Sequence, residues 1–155
     1  MVINNKLIHP RITLDAEAKC SEITLRGGGP VRIVKTDSDV KLFPLISIVE
    51  GHHSVADYCI FTENTIIICD LKSGKSEKAK HQIINTRLIV DYLINFMRYH
   101  YKLSDKLIPS IEYAVFSGIV SKGLSKPTKL NKKNSHGFEY FELGCGGTYK
   151  IKDLC

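Results

Sequence analysis

Two apolar runs separated by a short polar segment constrain the fold of this chain more than any other feature. The runs are Tyr58–Phe61 and Ile66–Cys69, and the residues between them, Thr62–Thr65, are typical of a turn. We predict an antiparallel hairpin in which Phe61 pairs with Ile66. The nearly continuous apolar character of the second run is typical of a strand that is covered on both faces.

That register brings three charged side chains to one place. Asp57 is predicted to lie directly opposite Asp70, and cross-strand partners of this kind have Cβ atoms about 5 Å apart and point to the same face. Lys72 follows Asp70 by two residues, so the alternation of side chains along a strand returns it to the same face. The spacing therefore predicts a cluster of two carboxylates and one ammonium group.

Two opposed carboxylates require a positive charge nearby. Like charges that face each other across two strands are destabilising, and a divalent cation between Asp57 and Asp70 would relieve the repulsion. Mg²⁺ suits such a site, because it takes one or two protein carboxylates and keeps water ligands that a phosphate can displace. The alternative is a pair of ordinary strand-end charges that Lys72 neutralises without metal.

The segments after the hairpin predict an α/β (α+β) fold with a mixed central β-sheet. Residues 77–101 contain no Pro or Gly and carry apolar residues at helical spacings, which predicts one long, mostly buried helix. Residues 111–116 predict the next strand. The apolar positions that define the helical pattern are Ile84, Leu88, Ile89, Tyr92, Leu93 and Phe96.

The length of the chain fits one domain over residues 1–155, with its core at about 42–116. We expect a basic loop over residues 117–137 and a C-terminal hairpin over residues 138–155. No internal repeat is evident.

Secondary structure is also predicted for three segments before the central hairpin. Residues 23–34 predict two strands joined by a glycine-rich hairpin loop, and residues 45–49 predict a further strand. Residues 15–22 fit either a short helix or part of the first strand, and the pattern does not decide between them.

Composition excludes several classes of protein. Hydrophobic residues make up 43% of the chain and charged residues 25%, which is unlike a disordered protein. No apolar run approaches the about 20 residues that cross a bilayer, and no signal peptide is evident, so we expect a cytoplasmic protein that does not contact membranes. The five cysteines contain no Cys-x-x-Cys pair, which argues against a zinc site. Cys59 and Cys69 are expected to be reduced core residues.

The charge distribution points to a polyanionic partner. The formal net charge is +6, and five lysines lie within residues 117–137, where there is no acidic residue. Such a segment can follow a sugar–phosphate backbone without reading bases, although a solvated run of charges is the alternative. The lysines expected to contact nucleic acid are Lys122, Lys126, Lys129, Lys132 and Lys133.

Asp57, the apolar hairpin and the sequence Asp70-Leu71-Lys72 resemble the motif of the PD-(D/E)XK nuclease superfamily, which includes restriction endonucleases and Holliday-junction resolvases. The resemblance covers about residues 42–116 and implies a restriction endonuclease-like fold, a mixed sheet flanked by helices. It implies that Asp57 and Asp70 bind the metal, with the Leu71 carbonyl as a third ligand. Lys72 would orient or help deprotonate the attacking water and stabilise charge on the phosphate.

The resemblance leaves the third acidic residue open. Glu50 fits if the acid comes from the strand before Gly51, and Glu17 fits if residues 15–22 are helical. We favour Glu50, because it lies closer to Asp57 in sequence. Two departures from the family pattern are Ala56, where Pro is frequent, and Asp70, where Glu is commoner.

Polar residues beside the motif are candidates for phosphate contact. The predicted helix begins with a polar patch that includes Gln82, and the positive end of the helix dipole favours a phosphate nearby. His52 is a second candidate for contact with nucleic acid. The alternatives are a solvated first helical turn and an exposed loop histidine. The patch consists of His81, Gln82, Asn85 and Thr86.

These features together predict a metal-dependent nuclease that hydrolyses phosphodiester bonds in DNA with Mg²⁺ or Mn²⁺, and the resemblance suggests an antiphage or mobile-DNA effector. Little sequence remains outside the core for reading bases. We therefore expect specificity to come from nucleic-acid structure, from a homodimer or from a partner protein. The alternatives are a non-catalytic nucleic-acid-binding or assembly subunit and an RNA-directed nuclease.

Overall fold

A computed structural model describes residues 11–14, 23–27, 29–36, 54–72, 79–102, 104, 108–118, 130–135 and 137–155. This part of the chain contains nine strands, one helix, α1 (Ala79–Tyr101), and a 3₁₀ turn at Ile151–Asp153. The strands are β1 (Arg11–Leu14), β2 (Ile23–Arg26), β3 (Arg32–Lys35), β4 (Tyr58–Phe61), β5 (Thr65–Lys72), β6 (Ser110–Ser117), β7 (Lys132–Ser135), β8 (Phe138–Gly144) and β9 (Thr148–Lys150).

The strands form two sheets. The larger has six strands in the order β3-β4-β5-β6-β8-β7, and the smaller has three in the order β1-β2-β9. Within the larger sheet β5 is antiparallel to β4 and parallel to β6, and β6 is parallel to β8. The predicted α+β class with a mixed central sheet is therefore confirmed.

The central hairpin has the predicted register. Phe61 pairs with Ile66 and Tyr58 with Cys69, so Asp57 and Asp70 are the next opposed pair along the ladder. The turn is closed by Thr62, whose backbone N–H donates to the Thr65 carbonyl at 2.9 Å and whose hydroxyl accepts from the Thr65 N–H at 3.0 Å. Every residue of β5 up to Leu71 is buried, as expected for a strand that is covered on both faces.

Different elements cover the two faces of the six-stranded sheet. On one face α1 packs through Ile83 and Val90 against apolar side chains that include Ile68. On the other face Ile23 of β2 and Leu154 at the C-terminus join the core formed by β4, β5, β6 and β8. One helix, α1, therefore flanks the sheet, and among the described residues the other face is covered by strands and the C-terminal turn.

The orientation of α1 differs from the prediction. The helix lies where the sequence placed it, but it is not mostly buried, since its buried residues are Ala79, Ile83, Thr86 and Val90. The positions that defined the helical pattern are largely exposed: Ile84, Leu88, Tyr92, Leu93 and Phe96. The helix carries two apolar stripes with the same period, and periodicity alone does not tell which of them meets the sheet.

Two predicted hairpins are wrong, although their strands exist. β2 pairs with β1 and β9, whereas β3 pairs with β4 in the other sheet, so residues 23–34 are not a hairpin. Residues 138–155 are not one either, because β8 joins the six-stranded sheet and β9 pairs in parallel with β2. The partners of β3 and β9 are instead β4 and β2, which are remote from them in sequence. The strand predicted at residues 45–49 and the segment 15–22 lie outside the described residues.

The four cysteines within the described ranges divide into three kinds. Cys59 and Cys69 are reduced and buried, as predicted. Burial raises the pKa of Cys59 to about 12 and that of Cys69 well above its usual value, so both thiols are unreactive core residues at neutral pH. Cys155 is free and exposed, whereas Cys145 is disulfide-bonded.

Within the described part of the chain, no helix combines the length and the apolar character that crossing a membrane requires.

Candidate active site

Three predicted site residues lie together on the face of the sheet that α1 covers. Cys59 of β4 and Ile68 of β5 belong to the core beneath α1, and strand alternation places Asp57 and Asp70 on that same side. Lys72 follows at the end of β5. The two carboxylates are almost fully buried, with relative exposures of 2% for Asp57 and 0% for Asp70.

Each buried carboxylate has a defined partner. Asp57 Oδ2 accepts a hydrogen bond of 2.5 Å from the backbone N–H of Leu71, so this carboxylate lies beside the peptide bond that follows Asp70. Asp70 Oδ2 lies 2.9 Å from the ammonium group of Lys72. Both negative charges contribute to the raised pKa of Cys69, after the larger effects of burial and of Cys59.

Gln82, on the first turns of α1, connects the end of β5 to the segment that precedes β4. Its side-chain carbonyl accepts a hydrogen bond from the Lys72 ammonium group, and its amide nitrogen donates to the backbone carbonyl of Val55 at 3.1 Å. Lys72 is thereby held between Asp70 and Gln82. These contacts assign Gln82 to positioning Lys72, whereas its predicted contact with nucleic acid stays a prediction.

Two more residues of the polar patch hold the segment that leads into Asp57. Thr86 is buried, accepts a hydrogen bond of 2.7 Å from the Ala56 N–H, and donates one of 2.8 Å to the Gln82 carbonyl. Asn85 donates to the Ser54 carbonyl at 3.0 Å. These side chains satisfy backbone groups of residues 54–56, which precede β4. Of the four residues of the polar patch, only His81 is an exposed side chain of the kind expected for a solvated first turn.

Thr36 is a contributor that the sequence did not suggest. Its backbone N–H donates to the Asp57 carbonyl at 2.9 Å, and its hydroxyl donates to the Ala56 carbonyl. The residue directly follows β3, which pairs with β4. A single threonine after a short strand carries no recognisable signal, and its role depends on a strand pairing that the sequence did not predict.

The donor atoms of the site fit Mg²⁺ or Mn²⁺ better than a soft metal. Among the described residues, no group of three or more His, Cys, Asp or Glu side chains could hold a metal ion. Asp57 and Asp70 would offer a cation two hard carboxylate ligands, the number that Mg²⁺ takes in sites where water and substrate phosphate complete the octahedron. The Leu71 carbonyl stays a predicted third ligand.

Several other predicted site residues lie outside the described residues, so their roles stay predictions. They are Glu17, Glu50, His52, Lys122, Lys126 and Lys129.

The basic segment is not one continuous loop. Its last part forms β7, an edge strand that pairs with β8. Lys132 lies 2.6 Å from Glu112 of β6, and Lys133 forms an ion pair with Glu142 of β8. The hydrogen bond to Glu142 raises the pKa of Lys133. Because acids from other strands neutralise both lysines, they offer less charge to a phosphate backbone than the sequence implied.

Comparisons with protein-family models, with curated proteins and with solved structures each gave no significant match. The assignment of a function therefore depends on the residues and geometry described above.

We expect Thr86→Val to destabilise the fold, because valine keeps the shape of threonine and removes both hydrogen bonds. The buried Ala56 N–H loses its acceptor, which costs about 1–3 kcal/mol. Urea unfolding should show that loss, with Thr86→Ser close to wild type. Equal stability of Thr86→Val and wild type would show that the contact with Ala56 does not anchor the segment.

Proposed function

We propose that this chain is a metal-dependent nuclease with a restriction endonuclease-like fold, which hydrolyses phosphodiester bonds in DNA with Mg²⁺ or Mn²⁺. The observation that carries the proposal is the buried cluster of Asp57, Asp70 and Lys72. Two acids and a lysine at this spacing, on the ends of paired strands, are the arrangement that the PD-(D/E)XK motif requires.

The connections around the cluster support the same proposal. The motif hairpin, β4 and β5, leads into α1 and then into β6, which lies parallel to β5. The helix begins directly over the site, so Gln82 contacts Lys72. A mixed sheet with this order of elements is what the resemblance implied for the catalytic core.

The chain's own residues have separate roles in this proposal. Asp57 and Asp70 provide the anionic ligands, and the Leu71 N–H fixes the orientation of the Asp57 carboxylate. Bound Mg²⁺ or Mn²⁺ would supply Lewis-acid stabilisation of the charge that develops on the phosphate. Lys72 is the more accessible member, with 19% of its side chain exposed. Its ammonium group is placed to stabilise the same charge and to orient the attacking water.

The charge of the chain supports a nucleic-acid substrate, and the resemblance to the nuclease motif suggests the biological role. The net charge of +6 favours a nucleic-acid partner, and the lysines of residues 122–129 would contact its backbone. We include in the proposal an antiphage or mobile-DNA role, a cytoplasmic location, and specificity that comes from a homodimer or partner protein.

One observation favours the rival, a non-catalytic binding subunit. The ion pair between Lys72 and Asp70 compensates the buried Asp70 charge without a cation. A chain that had lost turnover could keep the cluster for stability alone.

Incubation with nucleic acid separates these functions. Purified protein is mixed with plasmid DNA, linear DNA and RNA, in Mg²⁺, in Mn²⁺ and in EDTA. We expect cleavage of DNA only where a metal is present. Cleavage of RNA alone would identify an RNA-directed nuclease, and binding without cleavage of any polymer would support the binding subunit.

A further inference from the structure

The outward side of α1 carries a second apolar surface. We call it the apolar stripe and define it as Ile84, Leu88, Tyr92, Phe96 and Tyr99. The first four residues are spaced at intervals of four, and Tyr99 continues the same side of the helix. Relative exposures are 64% for Leu88, 55% for Tyr92, 45% for Phe96 and 82% for Tyr99.

The stripe is not needed for the core beneath α1. Ile83, Val90 and Ile94 pack against the sheet from the opposite side of the helix. A surface helix of a globular protein usually presents one apolar stripe to the core and polar residues to water. A second stripe with three large aromatic side chains therefore indicates a contact beyond the chain's own core.

The aromatic part of the stripe is continuous. The ring centroids of Tyr92 and Phe96 are 6.3 Å apart, and His100 links Phe96 to Tyr99, at 4.2 Å from the first ring and 5.2 Å from the second. At about 200 Å² for each aromatic side chain, Tyr92, Phe96 and Tyr99 together expose on the order of 400 Å². That is already about half of the 800 Å² that each partner buries in a stable interface, and Leu88 adds to it.

The charge of this side of α1 narrows the choice of partner. At 3.6 residues per turn, the positions interspersed with the stripe are His81, Asn85 and Asn95, and no Lys, Arg, Asp or Glu of this fully described helix lies among them. The charged residues Lys80, Arg87, Asp91 and Arg98 lie along one edge of the stripe, where Arg87 and Asp91 form an ion pair. The centre of the stripe carries no charge, which disfavours DNA and acidic partners as its occupant.

We propose that the apolar stripe binds a second copy of this chain and forms a two-fold symmetric dimer. A neutral stripe meets its own copy without like-charge repulsion, even though the whole chain is basic. The i, i+4 spacing forms a ridge, and two such ridges pack into each other's grooves at a crossing angle of about 50°. With the two-fold axis at Tyr92, Leu88 packs beside Phe96 of the partner subunit, a smaller side chain against a larger one.

The test measures the mass of the full chain by sedimentation over a range of concentrations. We expect a wild-type dimer, and about 100-fold weaker association for Leu88→Glu, since a central interface residue is replaced by a charge. Ile108→Glu is the matched control, because Ile108 is exposed but lies outside α1. Circular dichroism checks that each variant is folded.

A charge-swap pair tests the packing itself. Leu88→Glu and Phe96→Lys should each be monomeric, and their mixture should form a heterodimer, because opposite charges then face each other across the axis. A wild-type monomer at all concentrations would overturn the proposal. A Leu88→Glu variant that still forms the dimer would also overturn it. If the wild type is a monomer and Leu88→Glu, but not Ile108→Glu, binds DNA more weakly, the stripe contacts DNA and the proposal is likewise overturned.

Discussion

Asp70→Asn is expected to eliminate metal-dependent DNA cleavage while the fold is retained. Asparagine has nearly the shape of aspartate, so the packing of this fully buried side chain changes little. Removal of a residue that only hydrogen-bonds to a metal ligand lowers activity by about 10- to 100-fold. Loss of one of the two anionic ligands should lower the cleavage rate by more than that. Rates are measured on plasmid DNA in Mg²⁺ and in Mn²⁺, with DNA affinity measured on the same preparations.

Asp153→Asn is the matched control for that experiment. It makes the same chemical change at an exposed residue of the C-terminal turn, remote in sequence from the motif. Its cleavage rate should equal that of the wild type. Full activity of Asp70→Asn would contradict the catalytic assignment, whereas loss of folding in Asp70→Asn would move the test to Asp57→Asn.

Lys72→Ala is expected to destabilise the metal-free protein and to increase the stabilisation that metal provides. Removal of the ammonium group leaves the buried Asp70 carboxylate without its ion-pair partner. Breaking a buried ion pair in this way lowers the free energy of unfolding by about 3–5 kcal/mol. Because Lys72 is partly exposed, we expect a smaller loss of about 2–3 kcal/mol. For a chain of this length the melting temperature should fall by about 5–10 °C.

Addition of Mg²⁺ should then raise the melting temperature of Lys72→Ala by more than that of the wild type, because a cation restores a positive charge beside Asp70. Thermal melts with and without Mg²⁺ measure both effects, and Lys150→Ala, a change at an exposed lysine, serves as the control. Equal metal-induced shifts in Lys72→Ala and wild type would indicate that Asp70 does not bind the metal. An unchanged metal-free melting temperature would show that the pair contributes nothing to stability.

The neutralised lysines of β7 show where sequence reasoning about charge fails. Residues 117–137 contain no acid, and the run therefore resembles a free basic surface. In the structure Glu112 and Glu142, which come from two other strands, pair with Lys132 and Lys133. A local count of charges cannot include acids that strand pairing brings alongside.

The site was predictable where it depends on the hairpin and not where it depends on distant segments. Asp57, Asp70 and Lys72 follow from one turn and from side-chain alternation, which are local properties. The bonds from Thr86 and Thr36 to the residues before β4 span 30 and 20 positions in sequence. No spacing rule relates such residues, because their meeting depends on where α1 and β3 pack.

The sequence by itself determined the positions of the main elements and the register of the central hairpin. Turn chemistry and apolar periodicity act within a few residues, so they can be read before the fold is known. Tertiary structure decided which stripe of α1 faces the sheet and paired β2 with β9, a strand from the other end of the sequence. Those choices depend on the free energy of packing surfaces from remote segments against each other, which no local pattern contains.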